Sequence, residues 1–328
     1  MKKILLLTTG GTIASRLTGE GLAPAEDPDI FAKALSALEG AYEITVRNIL
    51  NLDSSNIQPE EWQLFAREVY AARESFDGVV LAHGTDTMAY TASMLSFMLL
   101  GISIPVVLTG AQLPLEHPLT DGEDNLRTAF AMAASGRAGV FLAFDRKVIL
   151  GCRAVKTHTM DFGAFESVNH PLVAQVSGQG LKIRDDAIPK VPGPCVLRDR
   201  LCREVFLLKL TPGLDPAIFD LFRGYRGLVI EAFGAGGLHF IRRNLVEKLK
   251  SACDQGTVVV VNSQCLYEAS DLSLYQTGQR VLETGAIESY DMTTEATVTK
   301  LMWALGQTED PDEVRALLAR SLAGEMGR

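Results

Sequence analysis

Short apolar runs that end in polar, glycine-containing turns recur along the chain, with segments of helical spacing between them. The first run, Ile4 to Leu7, is unbroken by polar residues, as expected of a strand covered on both faces. It opens directly into "TTGGTIAS". "DIFAKALSAL", residues 29–38, has helical spacing with an acidic start, and "YEITVRNI" alternates like a strand before the polar "LDSSN". Pro59, Glu60 and Glu61 then open a helix, because proline suits the first helical position and acids suit the positive end of the dipole. "GVVLAHGTDT", residues 78–87, repeats the opening pattern. It predicts a helix over about 88–99, a strand in "IPVVLTGAQ", a helix over about 123–135 and a strand in "AGVFLAF".

Strand and helix in alternation predict an α/β fold, a doubly wound and mostly parallel sheet. Ligands in such sheets sit outside the carboxyl ends of the strands. Thr12, Ser54, Thr85 and Asp86, far apart in sequence, are therefore expected to converge on one crevice. Residues 185–203, "DDAIPKVPGPCVLRDRLCR", are rich in proline and charge and read as a connection between domains. The expected division is a larger domain over 1–184, a linker over 185–203 and a smaller α/β domain over 204–328. In the second domain "VFLLKLTPG", "GLVIEAFGAGG" and "TVVVVNSQC" read as strands and turns. Helices are expected over 215–222, 241–253, 291–305 (opened by capping side chains) and about 312–322.

The 328 residues are 47 % hydrophobic and 22 % charged, an ordinary globular composition. Forty acids against thirty-one Lys and Arg give a formal net charge of -9, which offers nucleic acid no electrostatic footprint. The apolar stretch behind Lys2 and Lys3 is too short for a signal-peptide core, and no run has the length of a membrane helix. Five cysteines without a CxxC spacing argue against a disulfide framework. A reducing, cytoplasmic setting is the expectation.

Several polar clusters carry chemistry. "TTGGTIAS" lacks GxGxxG, and no GxxxxGK[ST] occurs; the stretch is a degenerate phosphate turn, a plain tight turn, or a reactive hydroxyl in a glycine-lined pocket. In "HGTDT" Thr85 offers a hydroxyl, Asp86 a carboxylate, and Gly84 a close backbone approach; the bland alternative makes Asp86 a helix N-cap. Lys156, in "AVKTHTMDF", is either a solvated surface lysine or the third member of a Thr–Lys–Asp cluster. A hydroxyl is a poor nucleophile near neutrality and needs a base or charged network to take its proton. A partly buried lysine held by an aspartate supplies one. His83, His117, His158, His170 and His239 show no HExxH pairing and read as structural or surface groups. Cys265 follows a buried strand and reads as a packed thiol.

"TTGGTIAS" and "AHGTDTMAYTAS" resemble the two signature segments of the bacterial-type L-asparaginase family, and "DSSN", "LTGAQLP", "VKTHT" and "DMTTEATVTKL" extend the likeness over essentially the whole chain. "NSQC", "DMTTEAT" and the missing signal peptide make it most like the cytoplasmic type I group. The resemblance implies hydrolysis of asparagine to aspartate and ammonia, no metal or organic cofactor, and a homodimer or homotetramer with no nucleic-acid or membrane partner. It implies Thr12 as the acylated residue and Thr85, Asp86 and Lys156 as the second catalytic cluster. Ser54 and Ser55 would meet the substrate α-carboxylate, Asp86 its α-amino group, and Gly84 and Thr85 would line the pocket. Cys265 would border an effector site.

Two departures stand out. The family's loop after the first strand carries a tyrosine where "EGLAP" places Leu22, and "FGAGG" has Ala235 where many periplasmic members have an asparagine. Rival readings are a broader glutaminase-asparaginase, a non-catalytic amino-acid-binding regulator, and the asparaginase-like amidotransferase subunit that acts on aminoacyl-tRNA. The last carries an extra domain ahead of its catalytic core, whereas here the signature begins within ten residues of Met1.

Overall fold

The computed structural model describes residues 1–18, 21–24 and 28–327. The chain divides into two compact units, Met1–Asp199 and Arg200–Arg328. In the first, strands β1 (Lys2–Gly10), β4 (Tyr42–Leu52), β5 (Gly78–Ala82), β6 (Pro105–Thr109), β7 (Gly139–Phe144), β8 (Lys147–Leu150), β11 (Ala174–Ser177) and β12 (Gly180–Ile183) form one sheet. Its order is β12-β11-β8-β7-β6-β5-β1-β4. Neighbours from β4 to β7 are parallel, and β7, β8, β11 and β12 pair antiparallel. Two small antiparallel pairs stand apart: β2 (Ser15–Thr18) with β3 (Gly21–Pro24), and β9 (Ala154–Lys156) with β10 (Phe165–Ser167).

The unbroken apolar runs are covered on both faces, as expected: Ile4 to Leu7 and all of β5 and β6 are buried. The helices of this unit are α1 (Ala32–Ser36), α2 (Pro59–Ala72), α3 (Met88–Met98) and α4 (Gly122–Ala133). A capping box at Gln58 and Glu61 starts α2, which turns Trp62, Phe65, Ala66 and Val69 inward. Every residue of α3 except Tyr90 is buried, which matches a helix apolar on all sides.

The second unit holds a four-stranded parallel sheet of β13 (Val205–Lys209), β14 (Gly227–Ala232), β15 (Val258–Ser263) and β16 (Ile287–Glu288), in that order. Helices α5 (Leu245–Asp254), α6 (Gln276–Leu282), α7 (Thr294–Gln307) and α8 (Pro311–Leu318) complete it. Leu208, Leu228, Ile230, Val259, Val261, Leu245 and Leu249 share its core.

Three expectations need correction. The helix expected from Ile241 begins at Leu245, because Arg242 sits at φ 66 and the Asn244 side chain caps the helix by accepting from the Glu247 amide at 3.1 Å. The last helix ends at Leu318 rather than Leu322. There the fully buried Lys300 Nζ donates to the carbonyls of Leu318 and Arg320 and pairs with Glu325 at 2.6 Å, so a buried ammonium takes up the helix-end carbonyls. Cys265 is exposed, because β15 ends at Ser263 and the chain leaves the sheet.

Candidate active site

Four adjacent parallel strands, β4, β1, β5 and β6, release their following loops at one edge of the sheet. β1 gives Gly10 to Thr12, β4 gives Asp53 to Ser55, β5 gives His83 to Asp86, and β6 gives Gly110 to Gln112. The chain leaves the sheet in opposite directions on either side of β1, the switch point at which such sheets form a crevice.

Two glycines let these loops touch backbone to backbone. Gly11 has φ 78, and a Cβ on it would fall 2.5 Å from the N and Cα of Gly84. A Cβ on Gly84 would in turn fall 2.6 Å from Ser54 Oγ. A side chain on Gly11 would push the two threonine-bearing turns apart, and one on Gly84 would push the Ser54 turn away from Thr85. The expected closeness of Thr12, Ser54 and Thr85 therefore rests on these two positions.

Thr85 and Asp86 are joined to Lys156, which arrives from β9. Lys156 Nζ donates to Thr85 Oγ1 at 2.8 Å and to Asp86 Oδ1 at 2.6 Å. Lys156 is 16 % exposed and Asp86 62 %, so the ammonium approaches from the protein side while the carboxylate faces solvent. Thr85 is buried. Asp86 is not a helix cap: α3 begins at Met88 behind Thr87. Its amide donates to Ser54 Oγ at 3.2 Å, and Thr87 Oγ1 donates to Ser54 O at 2.7 Å, which ties the β4 and β5 loops together. Ser55 turns its hydroxyl to Asp53, the N-cap of that short turn.

Thr12 lies half-buried at the start of a short turn of 3-10 helix, and no hydrogen bond joins it to Thr85, Asp86 or Lys156. Leu22 lies on β3, its backbone paired with Leu17. Cys265 and Ala235 belong to the second unit. Among the described residues, no group of three or more His, Cys, Asp or Glu is placed to hold a metal ion, and no helix is long and apolar enough to cross a membrane.

Two residues of the crevice have parts that the sequence did not assign, although His83 is the structural group its setting suggested. His83 is fully buried; its Nδ1 lies 2.6 Å from Gly84 O and its Nε2 3.0 Å from Thr91 Oγ1. Trp62 Nε1 donates to the same Thr91 oxygen at 3.0 Å, which leaves the Thr91 proton for His83 Nε2 and the Nδ1 proton for the carbonyl. Burial pushes the imidazole down to about 4, opposed by its bond to Gly84, so it stays neutral and holds the peptide that leads into Thr85. The second is Gln112, whose side chain reaches Thr85. Each follows a buried strand directly or within a few residues, which is the one sequence signal they offered.

The Asparaginase, N-terminal family matches residues 3–189, and the Glutaminase/Asparaginase C-terminal domain matches residues 204–318. An L-asparaginase of Thermococcus kodakarensis is 44 % identical over 99 % of both chains, and its solved structure superposes with a TM-score of 0.94 at 43 % identity, again over 99 % of each chain. One subunit of the glutamyl-tRNA(Gln) amidotransferase of Pyrococcus furiosus is 36 % identical over 98 % of this chain and 76 % of its own length. The structure of a probable cytoplasmic L-asparaginase from Campylobacter jejuni superposes with a TM-score of 0.83 at 28 % identity, covering 98 % of this chain and 100 % of that one. Similarity therefore reaches an archaeal enzyme as well as a bacterial one, wider than the bacterial group expected from the motifs. With both of its units matched, and the glycine-packed Thr12 and Thr85 turns in the first, the chain belongs to the asparaginase family.

Proposed function

We propose that the protein hydrolyses L-asparagine to L-aspartate and ammonia, with Thr12 as the acyl acceptor and Thr85, Asp86 and Lys156 as the proton-handling cluster. The observation that carries this reading is Lys156 Nζ held between Thr85 Oγ1 and Asp86 Oδ1, at the edge where Gly11 packs on Gly84. In the first step the Thr12 Oγ–carbon bond forms at the substrate carboxamide, the carbon–nitrogen bond breaks, and ammonia leaves with the Thr12 proton. Water then adds to the ester carbon, the Oγ–carbon bond breaks, and the proton returns to Thr12. Leucine has no exchangeable proton, so Leu22 relays none and the transfer runs through water to the Lys156 cluster. Ser54 and Asp86, linked through the Asp86 amide, grip the α-carboxylate and α-amino end of the substrate, with Ser55 beside them and Gly84 lining the pocket.

The T. kodakarensis relative, matched end to end, supports asparagine as the substrate. Asparagine is preferred over glutamine, although one methylene separates them and pockets discriminate a methylene by only about 1–3 kcal/mol. The match to an amidotransferase subunit raises tRNA-dependent deamidation as a second reading, against which stands the net charge of -9. A homodimer that pairs into a tetramer fits the large apolar side chains exposed on the second unit: Ile241, Leu266, Tyr267, Leu274 and Tyr275. Five cysteines, none of them in a disulfide among the described residues, fit a reducing cytoplasm. Ammonia release in excess chelator, from asparagine and from glutamine with and without glutamyl-tRNA(Gln), tests the whole reading. Release from asparagine without tRNA, undiminished by chelator, is expected; release only in the presence of tRNA, or asparagine bound but unchanged over hours, would overturn it.

A further inference from the structure

We propose that Gln112 is a positioning residue that sets the Thr85 hydroxyl relative to Lys156, an inference that rests on the reaction assigned above. Gln112 stands three residues beyond β6, half-buried, on a loop with a pinned backbone. The amides of Gln112 and Leu113 donate to the Asp121 carboxylate at 3.0 Å, and Asn125 Nδ2 donates to that carboxylate at 2.9 Å and to Gly110 O at 3.0 Å. A loop held this way can aim a side chain.

The carboxamide reaches in two directions. Its Nε2 donates to the carbonyls of Thr159 at 3.2 Å and Asp161 at 3.0 Å, in the turn that leads from β9 to β10. Carbonyls only accept, so the two nitrogen contacts fix which end of the amide is which. Oε1 is left facing Thr85, whose hydroxyl donates to it at 3.4 Å.

Thr85 Oγ1 also accepts from Lys156 Nζ at 2.8 Å, so the single hydroxyl proton must point elsewhere, and Gln112 Oε1 receives it. A lone pair of Thr85 is thereby turned toward Lys156. The long 3.4 Å contact orients the hydroxyl without trapping its proton, which can swing to Lys156 Nζ once that nitrogen has given one up. The same carboxamide carries the turn that follows Lys156, so one side chain registers the lysine strand against the threonine loop. It lies inside "LTGAQLP", to which the sequence assigned no chemistry.

The test compares Gln112→Met, which keeps the length and removes both functions, with Gln112→Glu, which keeps an acceptor for Thr85 and removes the donors to the turn. With asparagine, Gln112→Met is expected to lower kcat about tenfold, the scale of one hydrogen bond, with KM within about twofold of the wild type. Gln112→Glu should recover at least about a third of the lost kcat. In a Thr85→Ala background, Gln112→Met should cost less than about twofold, because residues acting as a unit are non-additive. Melting curves accompany each variant, and this cycle decides the matter if Gln112→Met melts early. An active wild type with Gln112→Met near full kcat, Gln112→Glu no better than Gln112→Met, or a further tenfold loss in the Thr85→Ala background overturns the proposal alone. A wild type that releases no ammonia from asparagine overturns the assigned reaction and this proposal with it.

Discussion

Replacing Lys156 with methionine removes the ammonium and keeps most of the apolar stem. Two hydrogen bonds disappear, one to Thr85 and one to Asp86. Their worth to folding is small: Asp86 is 62 % exposed, so the ion pair contributes about 0–1 kcal/mol. Thr85 still donates to Gln112 and loses only an incoming bond, a further ~1 kcal/mol. For a chain of this size the sum, about 1–2 kcal/mol, moves the melting temperature by roughly 1–3 °C. Catalysis responds on another scale. General acid–base positioning contributes about 10²–10⁴-fold, or ~3–5 kcal/mol of barrier. The assay is ammonia release at saturating asparagine, with a melting curve on the same preparation. A kcat within about tenfold of the wild type would refute the assigned role of Lys156, because even the low end of general acid–base catalysis exceeds it.

The buried ion pair of Lys300 and Glu325 makes a stability prediction: Glu325→Ala strands a charge and should cost about 3–5 kcal/mol in denaturant titration, whereas a cost below ~1 kcal/mol would mean the lysine finds water. His83 predicts an acid limb. Its folded value, near 4, lies below the ordinary 6.5, so its contribution is complete above about 6.5 and is lost as pH falls toward 4, up to ~3 kcal/mol. His83→Gln should flatten that limb in urea titrations, and an unchanged slope would contradict the burial argument. Glu295 acts with the opposite sign. Burial, with the Glu231 carboxylate adding to it, pushes its carboxyl up to about 7, so its contribution is complete below about 4.5 and is lost as pH rises through 7. Glu295→Gln should therefore raise the melting temperature at pH 8 and leave it unchanged at pH 4, and equal shifts at both would contradict the assignment.

The parallel strands were legible because residues 4–7, 78–82, 105–108 and 258–261 are unbroken apolar runs, the pattern expected of a strand buried on both faces. Their polar turns told where the crevice would form, since parallel strands end at one edge. The antiparallel extension through β11 and β12 was not legible: strands of four residues show too little alternation to register as a period. The start of α5 was misplaced because apolar Ile241 continues the helical spacing, while the Asn244 side chain settles the boundary. In the site, Thr85, Asp86 and Lys156 carried charge or a hydroxyl in distinctive settings. Gln112 and His83 did not, because their parts depend on which carbonyl or hydroxyl faces them, and that is decided by tertiary packing. The loop around Leu22 departs from the expected motif, and residues 19, 20 and 25–27 beside it lie outside the described ones.

The most direct test of the central claim is to quench the protein with acid milliseconds after mixing it with asparagine and to map any covalent adduct by peptide mass spectrometry. The account predicts an aspartyl ester on the peptide that contains Thr12, formed as ammonia is released and absent from Thr12→Ala, whose kcat falls about 10²-fold or more. No adduct at Thr12, together with a Thr12→Ala protein that still hydrolyses asparagine at nearly the full rate, would contradict it and return "TTGGTIAS" to the role of a tight turn.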